Sequence, residues 1–447
     1  MQFPEEFAHQ MSSILSPEEY EEFCHSLDNP PYVSVRPNPF KDPNGDALRD
    51  LDCKDNVTWS SLGKYLGTRP SFTLNPLFHS GAFYVQEASS MFLEQALRQC
   101  GNPKVVLDLC AAPGGKSTLL RSLLDDEALL VSNEPIKNRA QILAENIIKW
   151  GHEGNLVTCN FPKDFKNVGA VFDLIVVDAP CSGEGMFRKD NPALEMWSPA
   201  NVEECAKRQR DIVETIWPSL KAGGFLVYST CTYNTLENEQ NIDYFCHELD
   251  AEAIKIDVPT STGIIGNLIC GNDKPVYHFM PHRTKGEGFF LALLQKKGSV
   301  ATQRLKGKKT FRPMPKDWGN TTTAKDLVIL ENDNQVYAIR KKDADMVSHL
   351  LNALYPITMG LPLYEKKGNK TIPAHGLAMS RLLNKSFYPT IDLSLDQALD
   401  YLRRQAIQID AKKGYILLTY KNMPLGFANN LGNRANNMYP ANWKIKH

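Results

Sequence analysis

The spacing of apolar and polar residues changes character along the chain. Across residues 105–295, short apolar runs alternate with stretches of helical periodicity. Val105-Val106-Leu107-Asp108-Leu109 is the first clear strand, and residues 129–132, 155–158, 174–178 and 225–230 follow it. Residues 136–150, 202–220 and 236–249 space their apolar positions as helices. Residues 276–280 and 288–295 are expected to pair near the sheet's edge. Alternation of strand and helix over ~190 residues predicts an α/β domain built on a doubly wound parallel sheet.

The flanks are patterned differently. In Ser16-Pro17-Glu18-Glu19-Tyr20 a capping serine, a proline at the first helical position and two acids mark a helix start. Residues 30–43 are proline-rich and expected to be irregular. Within them, Val33-Ser34-Val35-Arg36-Pro37-Asn38-Pro39 reads as a surface loop, with Arg36 and Asn38 able to touch phosphate or base. Residues 76–100 lead into the α/β domain through Gly81-Ala82-Phe83-Tyr84-Val85-Gln86-Glu87-Ala88-Ser89-Ser90 and a helix over 91–97. Residues 296–316 hold eight Lys/Arg and read as a solvated tether, or a strap facing RNA. Beyond it, 327–330 and 336–340 suggest a hairpin and 344–354 a helix. A helix over 395–404 and strands at 415–420 and 425–428 close the chain. These shifts divide it into a small α+β extension at 1–75, the α/β domain at 76–297, a basic linker with a small α+β domain at 298–372, and a last α+β domain at 373–447.

Composition narrows the class. With 42% hydrophobic and 23% charged residues in 447, the chain can bury large cores. A net charge of -1 argues against an extreme nucleic-acid or membrane binder. The average hides an asymmetry: residues 1–60 hold twelve Asp/Glu against four Lys/Arg, whereas 401–447 hold eight Lys/Arg against one Asp. A basic end can meet a polyanion, although a solubilising surface would look the same. The ten cysteines show neither a C-x-x-C pair nor zinc spacing, so no metal is expected. No leader-like segment or membrane-length apolar run is evident, which points to the cytoplasm and reduced thiols.

The loop after the first strand is Cys110-Ala111-Ala112-Pro113-Gly114-Gly115-Lys116-Ser117-Thr118. Small residues admit a ligand close to the backbone, and the following helix N-terminus attracts a carboxylate or phosphate. Gly115-Lys116-Ser117 fits the end of a phosphate-binding P-loop, but Cys110 stands where its first glycine belongs. Glu134 follows the second strand, 26 residues after Asp108, where a carboxylate can bridge ribose hydroxyls. Loop and acid together suit S-adenosylmethionine.

Two further strands end in thiols: Val176-Val177-Asp178-Ala179-Pro180-Cys181 and Tyr228-Ser229-Thr230-Cys231. In a parallel sheet both would reach the edge where ligands bind. Any single cysteine is by default a small core residue. A pair beside an aspartate favours chemistry, and methylation of cytosine C5 needs those groups. A thiolate adds to C6, an acid holds charge at N3, and a base then removes the C5 proton. The thiolate needs a cationic neighbour, for which Lys116 is the candidate.

These residues resemble the Nop2/Sun RNA 5-methylcytosine methyltransferases over nearly the whole chain. The matching motifs are Asp108 to Lys116, Asp178 to Asp190 and Tyr228 to Tyr233, with Gln86 to Ser90 and Pro281 to Phe290 in support. The resemblance implies a Rossmann-like domain binding S-adenosylmethionine. It implies Cys231 as nucleophile, Cys181 in product release, and Asp178 and Lys116 between target base and methyl donor. The implied cofactor site is Cys110, Ala111, Ala112, Pro113, Gly114, Gly115, Lys116, Glu134 and Asp178, supported by Arg139. Many relatives carry an acid after the third strand; here Asn160 is the expected substitute, or Asp164 reaches. The tail, Met423 to Trp443, resembles the PUA-like RNA-binding domain of the family's bacterial 16S ribosomal RNA branch, though Ala435-Asn436-Asn437-Met438 lacks the Lys and His of relatives. The implied partner is ribosomal RNA or the small ribosomal subunit, met by a monomer without membrane. Transfer RNA as substrate and an idle ribosome-assembly factor are the alternatives. The paired thiols argue against the idle factor, and against a DNA methyltransferase, which would place its nucleophile in the Pro-Cys motif.

Overall fold

The computed structural model describes residues 3–189, 191–258, 262–298, 305–368 and 370–446. Among these, the central sheet has nine strands. Across it run Ala251–Ile254, Phe289–Lys296, Leu220–Thr230, Phe172–Asp178, Val105–Asp108, Leu129–Asn133, Asn155–Thr158 and Pro356–Met359, with Tyr277–Phe279 also paired to Phe289–Lys296. The five strands from Leu220–Thr230 to Asn155–Thr158 are mutually parallel. The outer strands pair antiparallel.

Burial on both faces explains why the parallel strands are almost wholly apolar. Successive side chains point to opposite faces. Val105, Leu107, Ile175 and Val177 enter one core, and Val106, Leu174 and Val176 enter the other. The helices Gly115–Leu123 and Lys137–Trp150 fall on the path between these strands. Strand order reverses between Val105–Asp108 and Phe172–Asp178, so a crevice opens beyond their carboxyl ends. Register sets Asp178 opposite Ser229 there.

The N-terminal helices Glu5–Ile14 and Pro17–Asp28 are joined at Ser16, which forms a capping box with Glu19 as its sequence predicts. A four-stranded sheet follows, of Cys53–Asn56, Lys64–Leu66, Val33–Pro37 and Phe83–Val85. This corrects the expectation of a surface loop around Arg36. Arg36 and Asn38 are fully buried. The Arg36 guanidinium donates to Gln86 Oε1 at 2.6 Å and to the Gly115 carbonyl at 2.9 Å, and stacks over Trp150 at 4.9 Å. Asn38 donates to the carbonyls of Gly81 and Trp150. Both side chains tie the N-terminal sheet to the α/β domain, which leaves them no reach to an outside phosphate or base.

The expected hairpin is Leu327–Asn332 paired with Gln335–Arg340, within a five-stranded antiparallel sheet. Part of the basic linker, residues 299–304, lies outside the described residues. The described part is no free tether: Lys306 N–H donates to His349 and Lys309 N–H to Ser348, on the helix Ala344–Leu350, while the lysine side chains stay exposed. The last sheet orders Thr390–Asp392, Gly414–Tyr420, Met423–Asn430 and Ala435–Asn437, with the helix Leu395–Leu402 packed on it. Arg381 fastens this half to the α/β domain by paired bonds to Asp126 and Glu153, all within 2.9 Å. No helix among the described residues is long and apolar enough to cross a membrane.

Candidate active site

A cleft of about 420 Å³ occupies the crevice at the strand-order reversal. Its wall includes Cys110, Ala111, Ala112, Pro113, Gly115, Lys116, Asp178 and Cys231. Tyr84, Gln86, Met186 and Phe289 close it from other elements. Gly114 does not line it; at φ +117° it caps the helix Gly115–Leu123, a conformation open to glycine at little cost.

Lys116 stands on the first turn of that helix. Its ammonium meets Asp178 Oδ2 at 2.8 Å and lies 5.3 Å from the Phe289 ring centre. Burial alone would lower the Lys116 pKa, but the Asp178 carboxylate outweighs it and holds the amine above its ordinary value. Ser229 Oγ donates to Asp178 Oδ1 at 2.7 Å, so both carboxylate oxygens are held.

Adjacent parallel strands deliver the two thiols to one place. Cys181 Sγ and Cys231 Sγ are 3.1 Å apart, and the Cys231 N–H points at Cys181 Sγ at 3.4 Å. The hydrogen bond to Cys231, together with burial, pushes the Cys181 thiol well above the usual range. Cys231, the other sulphur of the pair, lines the cleft together with Lys116.

The remaining expected residues sit away from the cleft wall. Glu134 is buried; it accepts the Ile136 N–H at 2.9 Å and faces Arg139 at 3.4 Å. Arg139 also donates to the Ala112 carbonyl, joining Glu134 to the loop. Asn160 is engaged with the protein itself, giving its amide to Asp164 at 3.3 Å and accepting the Tyr355 N–H at 2.9 Å.

Two carboxylates that the motifs do not distinguish organise the thiol loops. Glu184 accepts from Tyr233 N–H, Asn234 N–H and the Asn234 amide. Glu237 accepts from Ser182 N–H at 3.1 Å, Gln209 at 2.6 Å and Asn234 at 2.8 Å. Both are buried. Glu184 falls within the Asp178 to Asp190 motif and Glu237 six residues after Cys231, the signals the sequence carries.

The cleft suits a methyl donor with an amino-acid end. The helix N-terminus at Gly115 offers N–H groups to a carboxylate. Asp108 is buried, takes Ser117 Oγ on one oxygen at 2.6 Å, and keeps Oδ1 without a partner. An orphaned buried acceptor of this kind fits a cationic or N–H group of a ligand. Among the described residues no cluster of His, Cys, Asp or Glu is arranged to hold a metal ion.

The chain resembles known proteins along nearly its whole length. Residues 96–295 match the family model of the 16S rRNA methyltransferase RsmB/F. Residues 3–88 match the N-terminal domain of 16S rRNA methyltransferase RsmF, and 388–445 the methyltransferase RsmF PUA domain. The Ribosomal RNA small subunit methyltransferase F of Vibrio campbellii is 31% identical, over 98% of this chain and 96% of its own. That of Erwinia tasmaniensis is 29% identical, over 98% and 96%. Among solved structures, a methyltransferase homolog protein from Pyrococcus horikoshii is 25% identical with a TM-score of 0.57, covering 66% of this chain and 95% of its own. NSun6 from the same organism, solved with SFG, shares the fold at 20% identity and a TM-score of 0.56, covering 66% and 99%. The chain belongs to the RsmB/F family of 16S rRNA methyltransferases and carries the N-terminal and PUA domains of its RsmF members.

Proposed function

We propose that this protein is an S-adenosylmethionine-dependent RNA methyltransferase that forms 5-methylcytosine in 16S ribosomal RNA. The observation that carries the reading is the thiol pair, 3.1 Å apart, at a cleft shared with the Lys116–Asp178 ion pair. Relatives named Ribosomal RNA small subunit methyltransferase F support the choice of RNA. A monomer acting in the cytoplasm on ribosomal RNA or the small subunit is the expected working form. Residues 1–75 and 373–447 serve as RNA-binding domains around the catalytic 76–297, with 298–372 between. Their basic end would position RNA through its backbone.

Cys231 adds to cytosine C6, and its bond there makes C5 electron-rich. As charge develops on the ring, N3 takes a proton relayed from the Lys116 ammonium through Asp178, and returns it when the ring is restored. S-adenosylmethionine supplies the activated methyl group that C5 takes. Cys110 to Lys116 would hold its amino-acid end, and Glu134, steadied by Arg139, its ribose. Asn160 would mark the adenine end.

Release follows from the same thiol pair. Once Cys231 is bound to carbon, the hydrogen bond between the two sulphurs is lost. Cys181 then gives its own proton to solvent in the cleft, and its thiolate takes the C5 proton. Elimination then restores the ring and frees Cys231.

The test is nucleoside analysis of small-subunit RNA from a strain lacking the gene, incubated with the purified protein and methyl-labelled S-adenosylmethionine. The account expects label in 5-methylcytosine. Label in any other nucleoside overturns it.

A further inference from the structure

The N-terminal helical pair reaches the catalytic loops directly. Gln10, on the helix Glu5–Ile14, donates its amide to Glu184 Oε1 at 3.0 Å. That oxygen also accepts Trp197 Nε1 and the Asn234 amide, each at 3.0 Å. The second oxygen accepts the backbone N–H groups of Tyr233 at 2.7 Å and Asn234 at 3.0 Å. Glu184 follows Cys181 by three residues, and Tyr233 follows Cys231 by two. The next N–H, of Gly185, donates to the Cys231 carbonyl at 2.8 Å.

Packing follows the same line. Phe7 stacks edge-on against Phe187 and Trp197 at 5.0 and 5.5 Å, and Phe23 against Tyr233 at 5.1 Å. Arg188 donates to the Ser26 carbonyl at 2.9 Å. Arg283 pairs with Glu19.

We propose that Glu184 is a positioning residue for the Cys181–Cys231 pair, and that the N-terminal helical pair sets its placement. A domain that served only as a handle for RNA would not need to share a buried carboxylate with both thiol loops. Five neutral donors converge on one charge, and the burial that removes water makes each bond geometrically strict. A shift of the Tyr233 and Asn234 amides moves Cys231 relative to Lys116 and to the incoming base.

The inference rests on the proposed methylation, and its test separates the two. Glu184→Gln cannot satisfy the site: whichever way the amide turns, its NH2 faces donors. The expected result is a kcat lowered about 100-fold, as for an ångström-scale misplacement, with KM for RNA unchanged. Glu184→Asp keeps the charge and should recover part of that loss. Gln10→Ala removes only the helix contact, and should lower kcat by about tenfold, again without raising KM for RNA; an unchanged kcat would take the helical pair out of the positioning. It decides the matter alone if Glu184→Gln does not fold.

A second readout needs no RNA. Iodoacetamide alkylation of Cys231, followed by mass spectrometry, should change in rate in Glu184→Gln as the sulphur moves within the cleft. Unchanged kcat and alkylation, with KM for RNA raised, would overturn the proposal and leave the helices an RNA handle. If the wild type labels a nucleoside other than 5-methylcytosine, the proposed function falls, and alkylation alone decides the positioning.

Discussion

The sulphurs of Cys181 and Cys231 lie 3.1 Å apart although 50 residues separate them. Only the junction of two parallel strands brings them together. The hydrogen bond to Cys231, with burial, pushes the Cys181 thiol up. Under the proposed function Cys231 attacks and Cys181 serves release, the order that family resemblance implies.

Asp178 is held by Lys116 and Ser229, with both oxygens engaged. Asp178→Asn removes the charge that orders Lys116 and leaves one accepting oxygen where there were two. Single-turnover methylation should slow by about 100- to 1,000-fold, the range for losing one group that stabilises charge in a transition state. A rate within threefold of wild type would remove Asp178 from the chemistry.

Asp108 gives a signature in pH. Burial raises its carboxyl from 3.8 to about 7, against the lowering effect of the Ser117 hydrogen bond. Between those values the folded chain holds a proton that the unfolded chain has released. Stability contributed by this group is therefore greatest at the acid end and is lost as pH rises toward about 7. Urea midpoints at pH 5.5 and 7.5 should differ less in Asp108→Asn than in wild type. An equal difference in both proteins would refute the shift.

Arg36 predicts a cost in stability. Its guanidinium is buried, and burial lowers its pKa to about 9. Arg36→Met would strip donors from Gln86, Thr118 and the Gly115 carbonyl. The expected loss is about 2–4 kcal/mol, since buried acceptors are left unpaired. Urea unfolding measures it. A loss below ~0.5 kcal/mol would place Arg36 among surface residues, where substitutions cost that little.

How much of this was legible follows from chemistry at particular positions. Leu129, Leu130 and Val131 announce a buried strand because a parallel sheet covered on both faces admits only apolar residues. Cys110 to Lys116 is readable because small residues and a helix start leave few other uses. Pro356–Met359 was not readable. It opens on proline and joins the sheet edge at Asn155–Thr158 across two hundred residues. Arg36 reads as a solvated cation because its acceptors come from residues 50 to 82 positions away. Neither the motif that contains Glu184 nor the position of Glu237 gives these acids a role; their converging donors in three dimensions do.

The account turns on which sulphur attacks. The direct measurement is a denaturing gel of Cys181→Ala incubated with substrate RNA and S-adenosylmethionine, with the shifted band digested for peptide mass spectrometry. The account predicts a stable protein–RNA band whose cross-linked residue is Cys231, and its absence from Cys181→Ala/Cys231→Ala. Normal turnover by Cys181→Ala with no band, or a cross-link at any other residue, would contradict it.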